Sequence, residues 1–165
     1  MEKNFMAASQ KIVPSLFFSG NNKTEDIMAF YSSVFKDFEV IYQTVLPAGP
    51  AEGQTLARVK MNGLEVILFD VKQGFEFSEG LSLSIDCASQ EEVDYYWEKL
   101  SSGGGKPIEC GWLQDRYGVF WQVVPTRMME MMQYKDSKKA AAGFNAMLTM
   151  QKMDIAKLEE TYTKG

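Results

Sequence analysis

The stretch "LSLSIDCASQEEVDYYWEKLSSGGG", Leu81 to Gly105, decides the fold. Its first seven residues alternate: Leu81, Leu83, Ile85 and Cys87 point one way, Ser82, Ser84 and Asp86 the other, as in a strand with one apolar face. Ser89 precedes Glu92 with capping-box spacing, and Val93, Trp97 and Leu100 follow at i, i+4 and i+7, which predicts a helix ending at the serine and glycine run.

The same order occurs nearer the N-terminus. "VPSLFF", Val13 to Phe18, is a strand candidate, and Asn22 with Glu25 has the spacing to cap a helix carrying Ile27, Tyr31 and Val34. Ser15 corresponds to Ser82, Leu16 to Leu83 and Phe18 to Ile85. Three strand candidates follow each helix: "FEVIYQTVL", "TLARVKM" and "LEVILFD" in the first half, "KPIEC", "WLQD" and "VFWQVV" in the second. Gly63 and Gly118 each stand just before the closing strand, where positive φ closes a hairpin cheaply. The expectation is an α+β fold of paired βαβββ modules, about 12–71 and 80–125, with a helical extension over about 126–165. In such a module one sheet face is buried under the helix and the other is left to line a cleft.

In the extension, "DSKKAAAGFNAMLTM" predicts a helix capped by Asp136 or Ser137 with Ala140, Phe144, Met147 and Leu148 as its apolar set. Asp154 is placed to cap a last helix through Ile155 and Leu158. Between them and the last strand, Met128, Met129, Met131 and Met132 form a soft apolar patch, for packing on the domain or across a dimer contact.

The totals restrict what such a chain does. A length of 165 residues with 45% apolar and 24% charged residues suits one globular domain. A net charge of −5 argues against nucleic acid, whose binding rests on clustered Lys and Arg. No stretch approaches the roughly 18 apolar residues that span a bilayer, and the first residues lack the apolar core of a signal peptide, so neither a membrane nor export is expected and the location is cytoplasmic. Cys87 and Cys110 lie in strand-like contexts without metal-ligand spacing and read as reduced packing residues. The chain contains no histidine, so no nucleophile, base and orienting partner assemble around Cys110.

The combination of "FFSG" with "FYSSVF", the Leu81–Gly105 stretch, "ECGWLQDRYGVFWQVVP" and the tail "AMLTMQKMDIAKLEE" resembles the PhnB-like branch of the vicinal oxygen chelate superfamily, the glyoxalase and bleomycin-resistance fold. The likeness runs from about Ile12 to Leu158. Members of this branch often carry the name 3-demethylubiquinone-9 3-methyltransferase, yet the only glycine cluster, Gly103 to Gly105, follows a helix and offers no helix N-terminal amides to a nucleotide cofactor. Methyl transfer is not expected.

The resemblance also implies a cleft in which catalytic relatives hold a divalent metal on four side chains, one from the first and last strand of each module. Counting from the paired landmarks puts those positions near Val13, Ile67, Gly80 and Gln122; a slip supplies only Ser15, Glu65, Ser82 or Asp70. This is no ligand set for a catalytic metal, and neither metal nor organic cofactor is expected. Alternation places Ser15, Phe17, Ile67, Phe69, Ser82, Ser84, Phe120 and Gln122 on the cleft side, with Tyr42 and Arg58 from the middle strands: an aromatic pocket with a few polar groups. Arg58 in the cleft would favour an anionic guest, although a lone Arg on a strand is more often a solvated edge charge. Trp112, Trp121 and Cys110 read as core and hairpin packing, and Asp115 to Gly118 as a turn.

The expected function is metal-free binding of an aromatic or amphipathic small molecule by a homodimer. One alternative is an enzyme of unknown reaction with Glu65, Asp70 or Asp86 as acid or base; another is a protein-interaction module through the Met-rich C-terminal region.

Overall fold

Asn62 and Gly63 take φ of 45° and 91°, the left-handed pair that a two-residue hairpin loop requires. Met61 therefore stands opposite Leu64, and β3 (Thr55–Met61) folds back on β4 (Leu64–Asp70). The computed structural model describes residues 10–133 and 137–164, and the chain divides into two compact units, Met1–Glu76 and Phe77–Gly165.

In the first unit β2 (Phe38–Val45) pairs antiparallel with β3, with a bulge between Val40 and Tyr42, and β1 (Ser15–Phe18) runs parallel to β4, giving the order β1-β4-β3-β2. The helix α1 (Thr24–Val34) crosses one face of this sheet. Ile27, Tyr31 and Val34 are fully buried there, and so are Leu16, Phe18, Ala57, Val59, Val66 and Leu68 from the strands. The period of two along the strands meets the period of 3.6 along the helix, and burial of the large side chains contributes roughly 1.5–3 kcal/mol each.

The second unit repeats the plan. Its β5 (Leu83–Cys87) is parallel to β8 (Phe120–Pro125), followed by β7 (Trp112–Gln114) and the short edge strand β6 (Lys106–Pro107). The helix α2 (Gln90–Ser101) buries Val93, Trp97 and Leu100 beside Cys87, Leu113, Trp121 and Val123. Its capping box forms: the Ser89 hydroxyl accepts from Glu92 N, and the Glu92 carboxylate accepts from Ala88 N at 2.7 Å. Burial pushes the Cys87 thiol up to about 12, assisted by the negative charges of Glu92 and Asp86, so it stays protonated and inert at neutral pH. The Asp115–Gly118 turn also forms. Asp115 is buried, and its carboxylate accepts from Tyr117 N, Val119 N and the Trp121 indole at 2.9–3.1 Å.

Four local expectations are corrected. Asn22 does not cap α1: Lys23 holds that position without a side-chain bond, and the Asn22 amide instead donates to Ser19 O. The alternating run 81–87 is a strand only from Leu83, which leaves Leu81 64% exposed. Cys110 is not in a strand but at φ 59°, next to Gly111 at φ 78°. Phe144 does not lie on the buried face of its helix and Leu148 falls just past the helix end: Ala146, Met147 and Met150 are buried and those two are exposed. The proposed cap at Asp136 lies outside the described residues, as does the Ser137 side chain.

The extension forms α3 (Thr126–Gln133), α4 (Ser137–Met147) and α5 (Ile155–Lys164). The methionine run is itself helical, burying Met128 and Met131 and exposing Met129 and Met132. Asp154 caps α5 as expected, accepting from Lys157 N. The unusual backbone at Cys110 and Gly111 has its use here, since it turns both amides outward to donate to Met150 O and Gln151 O at 2.8 Å. A Cβ on Gly111 would stand 2.9 Å from Val123 O and 3.2 Å from Met153. Gly111→Ala is therefore expected to destabilise the chain by about 2–4 kcal/mol in urea unfolding followed by tryptophan fluorescence; a loss below about 0.5 kcal/mol would show that the extension yields freely.

Candidate functional site

Because α1 and α2 each cover one sheet face, the candidate site residues are those of the opposite faces, taken unit by unit. Strand register defines the first. Ser15 stands beside Ile67, Ile67 beside Arg58, and Arg58 beside Tyr42, so one row crosses all four strands. The next row holds Phe17, Phe69, Leu56 and Thr44. All six residues expected from this module, Ser15, Phe17, Tyr42, Arg58, Ile67 and Phe69, thus share the face opposite α1. Phe17 packs its ring 5.5 Å from Phe69 and 5.6 Å from Phe75, while remaining 39% exposed, with Phe75 50% exposed. Phe75 was not anticipated, since no periodicity marks it. Its backbone is tied to Ser19, whose hydroxyl donates to Phe75 O and accepts from Phe75 N.

Arg58 is neither an edge charge nor a free anion hook. It sits on an inner strand, where its Nε donates to Glu65 Oε2 at 2.7 Å and its Nη2 contacts the same oxygen. Glu65 is only 5% exposed. The Gln10 side chain pairs with Glu65 as another strand would, accepting from its N and donating to its O, while Gln10 O accepts from Arg58. Sequence spacing gave no sign of this clamp, because Gln10 and Glu65 are 55 positions apart. The other carboxylates considered for acid or base work are placed differently. Asp70 accepts from Thr55 N at 2.8 Å, and Asp86 is exposed.

In the second unit Ser84 stands beside Gln122 and Gln122 beside Trp112, with Phe120 beside Gln114. The Gln122 amide donates to the Ser82 hydroxyl at 2.7 Å. Ser82, Ser84, Phe120 and Gln122 therefore fall together on the face opposite α2, although Phe120 is buried and Ser84 exposed. Trp112, expected among the packing residues, belongs to this face as well; Trp121 is the core one. The period of two, counted across the hairpin from Gln122, would have revealed it.

Residues 10–124 match the family described as 3-demethylubiquinone-9 3-methyltransferase. The chain belongs to that family. It also shares 34% identity with a putative 3-demethylubiquinone-9 3-methyltransferase, the PhnB protein from Bacillus cereus, over 70% of this chain and 99% of that one, with a TM-score of 0.61. Protein PA1353 from Pseudomonas aeruginosa is 23% identical over 71% of this chain and 98% of its own, with a TM-score of 0.55. A variant of the fosfomycin resistance protein FosX from Listeria monocytogenes, bound to Mn(II) and 1S,2S-dihydroxypropylphosphonic acid, is 20% identical over 70% and 90% of the two chains, with a TM-score of 0.50. No protein of curated function matches. The fold is that of the PhnB-like branch of the vicinal oxygen chelate superfamily.

The chain's own residues fit neither group that these names bring to mind. The first-and-last-strand positions counted as Val13 and Gly80 stand outside the strands, and the residues in register with Ile67 and Gln122 are Ser15 and Ser84. Two hydroxyls, an aliphatic chain and an amide already bonded to Ser82 offer no charged or imidazole donor to a divalent ion. Among the described residues no group of three His, Cys, Asp or Glu converges. For a methyl-donor nucleotide, the glycines at 103–105 lie after α2, and the first turn of α2 is already capped by Ser89 and Glu92.

The Arg58–Glu65 pair is structural in energetic terms, because removing one partner strands the other in a nearly dry place. Glu65→Leu alone is expected to cost about 2–4 kcal/mol, and the double change Arg58→Met with Glu65→Leu to recover most of that loss. A double-mutant cycle by urea denaturation measures both; additive effects would mean that the two charges do not depend on each other.

Proposed function

We propose that the chain is a metal-free small-molecule-binding protein whose ligand, aromatic or amphipathic, lies on the sheet faces left bare by the helices. The observation that carries this is the trio Phe17, Phe69 and Phe75. A cluster of rings kept partly in water on a sheet face, beside the hydroxyl of Ser15 and the guanidinium of Arg58, has the make-up of a small-molecule surface. On the second unit, Gln122, Ser82, Ser84, Trp112 and Phe120 supply the same mixture of hydrogen-bonding and aromatic groups.

Binding is tested by thermal shift against a panel of aromatic metabolites and drugs, since a ligand of the folded state raises the midpoint by mass action. Phe17→Ser is expected to leave the unliganded midpoint within about 3 °C, Phe17 being well exposed, and to abolish the shift. A panel without hits on the unaltered chain, or a shift that survives Phe17→Ser, would remove the first unit's face from consideration.

A homodimer belongs to the same proposal. Met129, Met132, Phe144 and Leu148 are 40–51% exposed, and a two-fold contact between identical patches would cover such side chains without open-ended assembly. Phe144→Asp is expected to lower the mass measured by light scattering at micromolar protein from two chains to one; a monomeric mass for the unaltered chain would end the idea. We place the protein in the cytoplasm, a compartment that suits two unpaired cysteines, to be checked by cell fractionation. Among the described residues no helix is long and apolar enough to cross a membrane.

A further inference from the structure

We propose that the first unit's face takes a neutral aromatic compound bearing a carbonyl-type oxygen, received by Arg58, in preference to an organic anion. The inference rests on the reading of that face as a ligand surface and specifies the chemistry of the guest.

The state of Arg58 decides it. Its Nε and Nη2 are committed to Glu65 and to Gln10 O, and the main chain of Glu65 is held in turn by the Gln10 amide. The positive charge is thus balanced within the pair, and Glu65, two residues from Ile67 on β4, shares the same face. An anion at Arg58 would have to share the guanidinium with the Glu65 carboxylate already bonded to it, in a chain of net charge −5. It would lose its hydration without a compensating net charge.

A neutral acceptor is in a different position. Arg58 Nη1 has no hydrogen-bond partner among the described residues, and its two N–H groups can donate to an uncharged oxygen that is far less costly to desolvate. Tyr42 stands beside Arg58 with its own hydroxyl. The aromatic end of the guest has a place as well. Phe69 and Phe17 occupy the next row, and alternate rows of a sheet lie about 7 Å apart with strands about 4.8 Å apart. A fused two-ring body spans that distance.

Three probes of one shape distinguish the possibilities when titrated into the native chain: 2-acetonaphthone, 2-ethylnaphthalene and 2-naphthoate. The ketone is expected to bind about tenfold tighter than the hydrocarbon, and the carboxylate most weakly. In the double variant Arg58→Met with Glu65→Leu, the ketone should lose its roughly tenfold advantage over the hydrocarbon. Should that variant not fold, the native chain labelled with nitrogen-15 serves instead: the Arg58 guanidinium resonance is expected to move with the ketone and not with ethylnaphthalene. Tightest binding by naphthoate, or equal binding of ketone and hydrocarbon, overturns the inference and leaves the ligand surface standing. If none of the three binds, the surface itself is lost and the inference with it.

Discussion

Parallel pairing of the first strand of each unit with the last is the constraint from which everything else follows. Ser15 lies beside Ile67 and Ser84 beside Gln122. A parallel neighbour cannot be reached through a tight turn, so the chain must travel away and return, and each unit does so through a helix laid across one sheet face. That helix buries the apolar half of every strand. The other half is left uncovered by that helix, and so the face that carries Phe17, Arg58 and Ile67, or Gln122 and Trp112, exists because of the strand order.

The two faces solve the problem of polar groups beside apolar ones differently. In the first unit a charged pair sits among Ile67 and the phenylalanines, and is tolerable there because the two charges bond each other, Gln10 O accepts from Arg58, and the Gln10 amide pairs with the Glu65 main chain. In the second unit the corresponding inner positions are uncharged, and a single bond joins Gln122 to Ser82. Where metal-holding relatives need donors that converge, this chain has groups already engaged with one another.

The extension is bound into the second unit by polar contacts to the backbone as much as by its methionines. Cys110 and Gly111 donate to Met150 O and Gln151 O, and Gln90 both donates to Met153 O and accepts from Ile155 N. Met153 and Leu158 then fill the space beneath. A cysteine in left-handed backbone conformation, strained for any side chain, is held there by these bonds and by the glycine that follows. The motif that tempts one towards thiol chemistry is a docking point for the chain's own end.

What could be read from the order of residues was periodicity and local chemistry. The strands, the helices α1 and α2, the Ser89 and Asp154 caps, the Asn62–Gly63 and Asp115–Gly118 turns and the set of residues sharing each bare face all follow from interactions among near neighbours. The helical state of the methionine run, the outward turn of Phe144 and the clamp of Gln10 on Glu65 escaped, for one common reason. Each depends on which distant segment arrives beside it, and an apolar stripe or a lone charge has the same sequence whether its eventual neighbour is a core, a counter-charge or water. The sequence by itself determined that Arg58 would stand on the face of Ile67 and Tyr42, since alternation admits no other side. Only the tertiary structure decided that the Glu65 carboxylate would reach Arg58 across the hairpin and balance its charge, and that Gln10 would join them from 55 residues away, because both contacts are made between strands or segments and not along one of them.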